Sequence, residues 1–291
     1  MPTIFRQKVM SNGISFNDPF ANPLGVQAWG IDVMDGWKDT GDVEEFSTDL
    51  GSYRDGVSSA DYFPVRKRYI TISGYCAAES VAAAEAYHDL LVRDAFPRNK
   101  TLTFQRYEFV PKQVLCKRSA KIEVDWTAVP NGFRWMTTLL ADDPMKYSIS
   151  SVTGSGGISN IIQTGHSFPV TFPMTFNGTG GAGYTSIGIN NIGTAPSAKL
   201  TATITGPLAK GAWRLINDTT GDSLSFDVAL TSSDTLVVDF LSRTATLNGF
   251  QVSAAYTGTF WKLQPGLNTI RLYAEPNAQA SVTIVGYSAW E

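Results

Sequence analysis

Between residues 198 and 285 the chain alternates apolar and polar side chains in short runs, and tight-turn signals fall among them. The runs are 198–205, 212–216, 223–230, 235–240, 244–250, 268–273 and 280–285. The turn signals are Gly206-Pro207, Asn217-Asp218-Thr219-Thr220-Gly221, Asn248-Gly249 and Pro265-Gly266. A period of two means a strand with one buried face, and Asn-Gly favours the positive φ angles of a hairpin turn. Seven or more such strands, roughly 8–12 residues apart, predict a β-sandwich or jelly roll for this half.

The first half reads differently. Residues 1–150 hold 17 Lys/Arg and 19 Asp/Glu, whereas residues 151–291 hold 6 and 7; glycine goes the other way, 9 against 17. The shift predicts two domains. We place an N-terminal domain at 1–150, a Ser/Gly-rich linker at 151–167 and a C-terminal domain at 168–291, with Asp142-Asp143-Pro144 marking the boundary. Strands are expected at 68–74, 101–107, 121–126 and 132–141. One helix is expected at 79–96, with Val81, Ala84, His88, Leu91 and Ala95 as its apolar stripe, Ser80 as its cap and Pro97 as its stop. An antiparallel sheet carrying one helix is an α+β layer. The whole chain is therefore expected to be mainly β.

Several function classes are disfavoured. A net charge of −3 suits no dedicated nucleic-acid binder. Two cysteines and two histidines leave little for a zinc site, a disulfide framework or a catalytic triad, and no cofactor or metal is expected. Cys76 and Cys116 read as small buried side chains, His88 as a helix residue packed on the sheet, and His166 as solvated. The first eight residues contain no apolar export core, and no run reaches the roughly 18 apolar residues of a spanning helix. A protein made in the cytoplasm without a membrane span is expected. The string Gly178 to Gly183 matches a dinucleotide-loop pattern, but Tyr184 stands where a phosphate-loop lysine would, and the following residues read as a strand. Asp227, Asp234 and Asp239 do not pair convincingly as glycosidase carboxylates.

Candidate surfaces remain. Asp32, Asp35, Asp39, Asp42, Glu44, Glu45 and Asp49 face only Lys38 in their segment, and no calcium-loop spacing is present. They suit a solvated face, a subunit interface or a channel lining that repels DNA. Arg66, Lys67 and Arg68 suit edge protection or pairing with a neighbour's acids. Tyr184, Trp213 and Trp261 could stack on sugars, although buried core is the commoner role of such tryptophans.

The residues resemble, in order along both halves, the distal tail protein (Dit) family of long non-contractile-tailed phages. The first block is Arg54-Asp55-Gly56, then Arg68 to Gly74, the helix, and Asp142-Asp143-Pro144-Met145-Lys146-Tyr147. The second is Asn191-Ile192-Gly193-Thr194-Ala195-Pro196, Leu200 to Pro207, Leu215 to Gly221, Asp234 to Asp239 with Arg243 and Asn248-Gly249, and Trp261 to Asn268. The resemblance implies a ring of six copies built by the N-terminal domain, with a galectin-like β-sandwich outside it. It implies no enzyme activity. It implies contacts with the tail tube, tape-measure, tail-tip or baseplate and receptor-binding proteins, and DNA passing through the ring of a virion component. The region from Ser167 onward has no histidine and lacks the sugar-binding sets of galectins, so a lectin-like fold would not license lectin activity. Segment 17–49 matches the family only loosely. A carbohydrate-binding adhesin is the alternative.

Overall fold

The strand Val65–Ala77 organises the N-terminal half, pairing antiparallel along Gly132–Ala141 on one side and Trp29–Asp35 on the other. Its alternation sends Ile70, Ile72 and Cys76 into the core and leaves Tyr69 and Tyr75 exposed. The computed structural model describes residues 8–17, 29–38, 42–43, 47–49, 57–59, 65–159, 183–252, 256–275 and 278–291. It divides into two units, Met1–Ile149 with Glu291, and Ser150–Trp290.

In the first unit the sheet runs Ile14–Phe16, Val9–Ser11, Leu102–Arg106, Lys112–Arg118, Gly132–Ala141, Val65–Ala77, Trp29–Asp35, with Glu123–Asp125 pairing Gly132–Ala141 from the side. The helix covers one face. The Ser80 hydroxyl accepts from the Ala83 N–H at 3.2 Å, so the cap lies where expected. The α-helix is Val81–Leu90, and a π-helical turn, Leu91–Ala95, replaces its expected last turn. The buried stripe also differs from expectation: Val81 is 58% exposed, and Ala84, Tyr87, Leu91 and Ala95 face the sheet. The wider turn sets Phe96 against Phe16 (5.8 Å between rings) and Trp135 (5.4 Å). The helix's last carbonyls find partners in the first hairpin. Ser11 Oγ donates to Ala95 O at 2.6 Å and Asn12 Nδ2 to Asp94 O at 2.8 Å.

The second unit has two antiparallel sheets over one core, a β-sandwich. One runs Val152–Ser159, Gln279–Gly286, Leu200–Thr205, Thr235–Asp239, Thr244–Leu247, Phe250–Gln251; the other Gly183–Asn191, Gly266–Ala274, Trp213–Asn217, Asp222–Phe226, Tyr256–Gly258. The expected run at 244–250 is a hairpin, turning at Asn248-Gly249 with φ of 49° and 86°.

Residues 152–159 are a strand and not a linker, and they pair with Gln279–Gly286 along their whole length. Composition misleads here because the glycines serve packing. A Cβ on Gly154 would stand 2.4 Å from Ile187 Cγ2, and one on Gly156 would stand 2.4 Å from Thr185 Oγ1. The rest of the expected linker, 160–167 with His166, lies outside the described residues.

Candidate functional surfaces

Of the expected acidic residues, Asp32 is the bulged residue of the edge strand Trp29–Asp35, where the register shifts between Ile31 and Val33. Its carboxylate lies 3.8 Å from the Arg134 guanidinium. Asp35 is exposed at the end of that strand. Asp42 stands opposite Lys67 in register and Asp49 opposite Val57. Asp39, Glu44 and Glu45 lie outside the described residues.

Of the basic group, Lys67 is exposed and Arg66 lies within the strand Val65–Ala77. Arg68 is not a surface residue: it is 2% exposed and points inward by the alternation that buries Ile70. Its Nε donates to Pro144 O at 2.7 Å and its Nη1 to Gly36 O at 2.9 Å. Lys146 joins it by donating to Trp37 O at 3.1 Å. The Arg68 and Asp142-to-Tyr147 strings of the sequence are thus two sides of one clamp. Burial, with Asp143 as a 2.7 Å hydrogen-bond acceptor, pushes the Tyr147 hydroxyl well above its usual pKa.

On the sheet face opposite the helix the described residues include several exposed apolar side chains. Val33, Tyr69, Tyr75, Leu115 and Met136 all project from it. Beyond one end, in the loop between Leu102–Arg106 and Lys112–Arg118, Phe109 is fully exposed. Its neighbour Glu108 is held at 3.1 Å by Arg106 Nε, at 3.1 Å by Lys112 Nζ and at 3.2 Å by Trp37 Nε1. Three contacts thus fasten the base of the loop, and its apolar tip is presented to solvent.

In the sandwich the three aromatic candidates separate. Trp213 is 2% exposed, stacked on Phe226 at 4.4 Å, and its Nε1 donates to Val228 O at 2.9 Å. Trp261 is 2% exposed against Phe240. Neither can stack on a sugar, because the apolar side of each sheet faces inward and takes its largest residues with it. Tyr184 alone is open, 63% exposed beneath the Arg271 guanidinium, which is ion-paired with Asp218.

The remaining motif residues hold backbone. Asn191 is 1% exposed and uses its whole amide. Nδ2 donates to Ala195 O (2.9 Å) and Leu263 O (3.1 Å), while Oδ1 accepts from Gly193 N (3.0 Å) and Ala289 N (3.2 Å). Gly193 is required beside it, since a Cβ there would lie 1.8 Å from Ala289 O. Asn268 does similar work, accepting from Gln264 N at 2.8 Å and donating to Gln264 O and Gly266 O. Asp234 accepts from Thr231 Oγ1 at 2.7 Å and from Asn248 Nδ2 at 2.7 Å, and Asp239 accepts from Leu241 N at 2.9 Å. These carboxylates are committed to turns.

Cys76 and Cys116 are buried and unbridged, and burial pushes both thiols up to about 12. His88 packs between Trp126 (5.7 Å) and Phe133 (5.8 Å). Gly183 opens the strand Gly183–Asn191, so no helix follows the glycine string, of which 178–182 lie outside the described residues. Among the described residues no helix is long and apolar enough to cross a membrane, and no three His, Cys, Asp or Glu converge for a metal.

Residues 192–289 match the family model for the C-terminal domain of siphovirus-type tail components, SPP1_Dit. The crystal structure of the Dit protein of phage SPP1 is described as a paradigm of the hub adsorption apparatus in phages infecting Gram-positive bacteria. It superposes with a TM-score of 0.65 at 12% identity, covering 98% of this chain and 99% of that one. Two structures of the phage p2 baseplate in its activated conformation, with strontium and with calcium, give TM-scores of 0.45 and 0.44 at 10% and 11% identity. They cover 95% and 96% of this chain and 97% and 98% of theirs. No curated protein sequence matches. Residues 192–289 thus match the C-terminal domain of siphovirus-type tail components, and along nearly its whole length the chain has a fold similar to that of SPP1 Dit.

Proposed function

We propose that this protein is a structural hub of the tip of a long, non-contractile phage tail. Its N-terminal unit associates with copies of itself in a ring of six. The ring joins the tail tube to the tail-tip or baseplate proteins, meets the tape-measure protein, carries receptor-binding proteins outside and lets DNA pass without binding it specifically. Its work is done at interfaces and requires no catalysis. It is a virion component, made in the host cytoplasm. The observation that carries the reading is the family match over 192–289, with the SPP1 Dit fold along the whole chain. Further support comes from the exposed apolar side chains of the sheet face opposite the helix and from exposed Phe109, which offer apolar contact area in the unit that would build the ring. The segment from Asp32 to Asp49 supplies carboxylates for a subunit contact or for a bore that repels DNA.

The test is the mass of the purified protein by light scattering, with negative-stain images of the same peak. Six copies of 31.6 kDa, about 190 kDa, in ring-shaped particles are expected. A 31.6 kDa monomer at the highest attainable concentration would overturn the reading of a self-assembling hub.

A further inference from the structure

A short turn and the end of a strand bring two arginines to one cavity of the N-terminal unit. Phe96 and Leu102 are buried on either side of the turn at 97–101, and Asn99 takes a positive φ of 61° within it. Arg98 thus stands on a loop fastened at both ends. Along Lys112–Arg118, Val114 and Cys116 point into the core. Arg118, at the next inward position, therefore emerges on the helix side, with its backbone in register with Leu139. Ser119 N and Ala120 N donate to Thr138 O at 2.9 and 3.3 Å, which ties the residues after it to the same neighbouring strand. Both arginines line a cavity of about 460 Å³, together with His88, Val92, Lys121 and Ile122.

The neighbouring charges are matched, and these two are not. Lys121 Nζ lies 3.3 Å from Glu123, His88 Nδ1 3.6 Å from Asp89, Arg93 Nη2 2.8 Å from Asp94 and Lys117 Nζ 3.1 Å from Asp142. Among the described residues no carboxylate forms an ion pair with Arg98 or Arg118. Burial, and then the charge of Arg98, lower the pKa of Arg118, so each guanidinium feels the other. Two like charges held near one another without a counter-charge favour a bound anion.

Guanidinium forks donate parallel hydrogen bonds to carboxylate or phosphate oxygens. A single carboxylate would answer only one of the two charges. A phosphate monoester carries close to two negative charges at neutral pH and offers three acceptor oxygens. The cavity is larger than a phosphate group needs and falls in the size range of small-molecule sites, and Val92 and Ile122 give the remaining space apolar walls. We propose that Arg98 and Arg118 form a binding site for the phosphate group of an organic phosphate monoester, whose organic part lies against Val92 and Ile122. The site is built within one chain and does not depend on the ring.

The test is calorimetric titration of the full-length protein with phenyl phosphate, benzoate and inorganic phosphate at one ionic strength. Phenyl phosphate should bind once per chain. Benzoate, with the same ring and one charge, should bind roughly tenfold more weakly, and inorganic phosphate, without the ring, roughly fivefold more weakly. Arg98→Gln and Arg118→Gln should each weaken phenyl phosphate by roughly tenfold or more, and the double variant should not bind it. Circular dichroism checks that each variant folds. Arg214→Gln is the control for general charge, since Arg214 is an exposed arginine seated over Tyr273 in the other unit; it should leave binding unchanged. Absence of phenyl phosphate binding to the wild type would overturn the site, as would binding that survives in the double variant or falls equally in Arg214→Gln. Benzoate binding as tightly as phenyl phosphate would overturn the assignment to phosphate, and inorganic phosphate doing so would overturn the organic part.

Discussion

Asn191→Ala tests whether the residues that carry the family resemblance stabilise backbone. The substitution removes four hydrogen bonds at a site 1% exposed. Leu263 O keeps a second partner, Ser197 N at 2.8 Å. The groups left without that amide are Gly193 N–H, Ala289 N–H and Ala195 O. An orphaned buried polar group costs ~1–3 kcal/mol, and a water entering the vacated space could re-pair one or two of them. The net loss should be about 3–5 kcal/mol, a large share of a domain's usual 5–15 kcal/mol. Calorimetry of the full chain should register it as a fall of roughly 10–15 °C in one transition. Asn191→Asp sharpens the test, since it preserves shape and keeps an acceptor for both N–H groups. Its second oxygen, however, faces two carbonyls. Burial and those carbonyls raise the folded-state pKa of this carboxyl above its unfolded value. The protonated acid can donate to a carbonyl, so the variant is least impaired below about pH 4, and its deficit grows as pH rises through the raised value. A loss under ~1 kcal/mol in Asn191→Ala, or a pH-independent deficit in Asn191→Asp, would refute the reasoning.

Three further outcomes are expected. Trp213→Ala and Trp261→Ala should each cost about 3–5 kcal/mol in denaturant titrations, as cavities in a packed core do, whereas Tyr184→Ala should stay within about 0.5 kcal/mol; equal small effects would contradict the burial of the tryptophans. Cys76 and Cys116 should resist a thiol reagent at neutral pH and both react after unfolding, because burial holds both thiols near 12; fast native labelling would contradict this. Asp234, whose pKa is lowered first by the Thr231 hydroxyl and then by the Thr231 N–H and Asn248, should stabilise the fold above the unfolded carboxylate range. That contribution is lost as pH falls through the lowered folded value, so the melting difference between wild type and Asp234→Ala should shrink between about pH 5 and pH 2.

Much of the fold was legible because strand periodicity and turn chemistry are local. Residues 132–141 read as a strand because apolar side chains recur there at period two, and the structure gives Gly132–Ala141. Asn248-Gly249 reads as a turn because few other pairs accept two positive φ angles. Ser80 and Pro97 frame the helix by satisfying or lacking an N–H. Residues 152–159 have a linker's composition and form a strand for an equally physical reason: glycine marks both flexible linkers and places where two sheets approach closely, and only the facing Ile187 and Thr185 distinguish them. The π-helical turn has no local signal, since it answers to Phe16 and Trp135.

The candidate site was less legible. Tyr184, Trp213 and Trp261 are alike as sequence, yet two are core and one is surface, because strand parity and the partner sheet decide which way each ring points. Arg68 carried a surface reading by its charge, but backbone carbonyls of residues 36, 37 and 144 claim it. Arg98 and Arg118 lie 20 positions apart in the chain, and only the fold brings them to one cavity. The sequence alone determined the class: two regions of different composition, one an α+β layer and one a sandwich, with too few histidines and cysteines for common site chemistry. The tertiary structure decided which charges are buried, which aromatic rings are buried and which glycines are pressed against a neighbour. Those are sums over residues distant in sequence, and a local pattern carries no record of them.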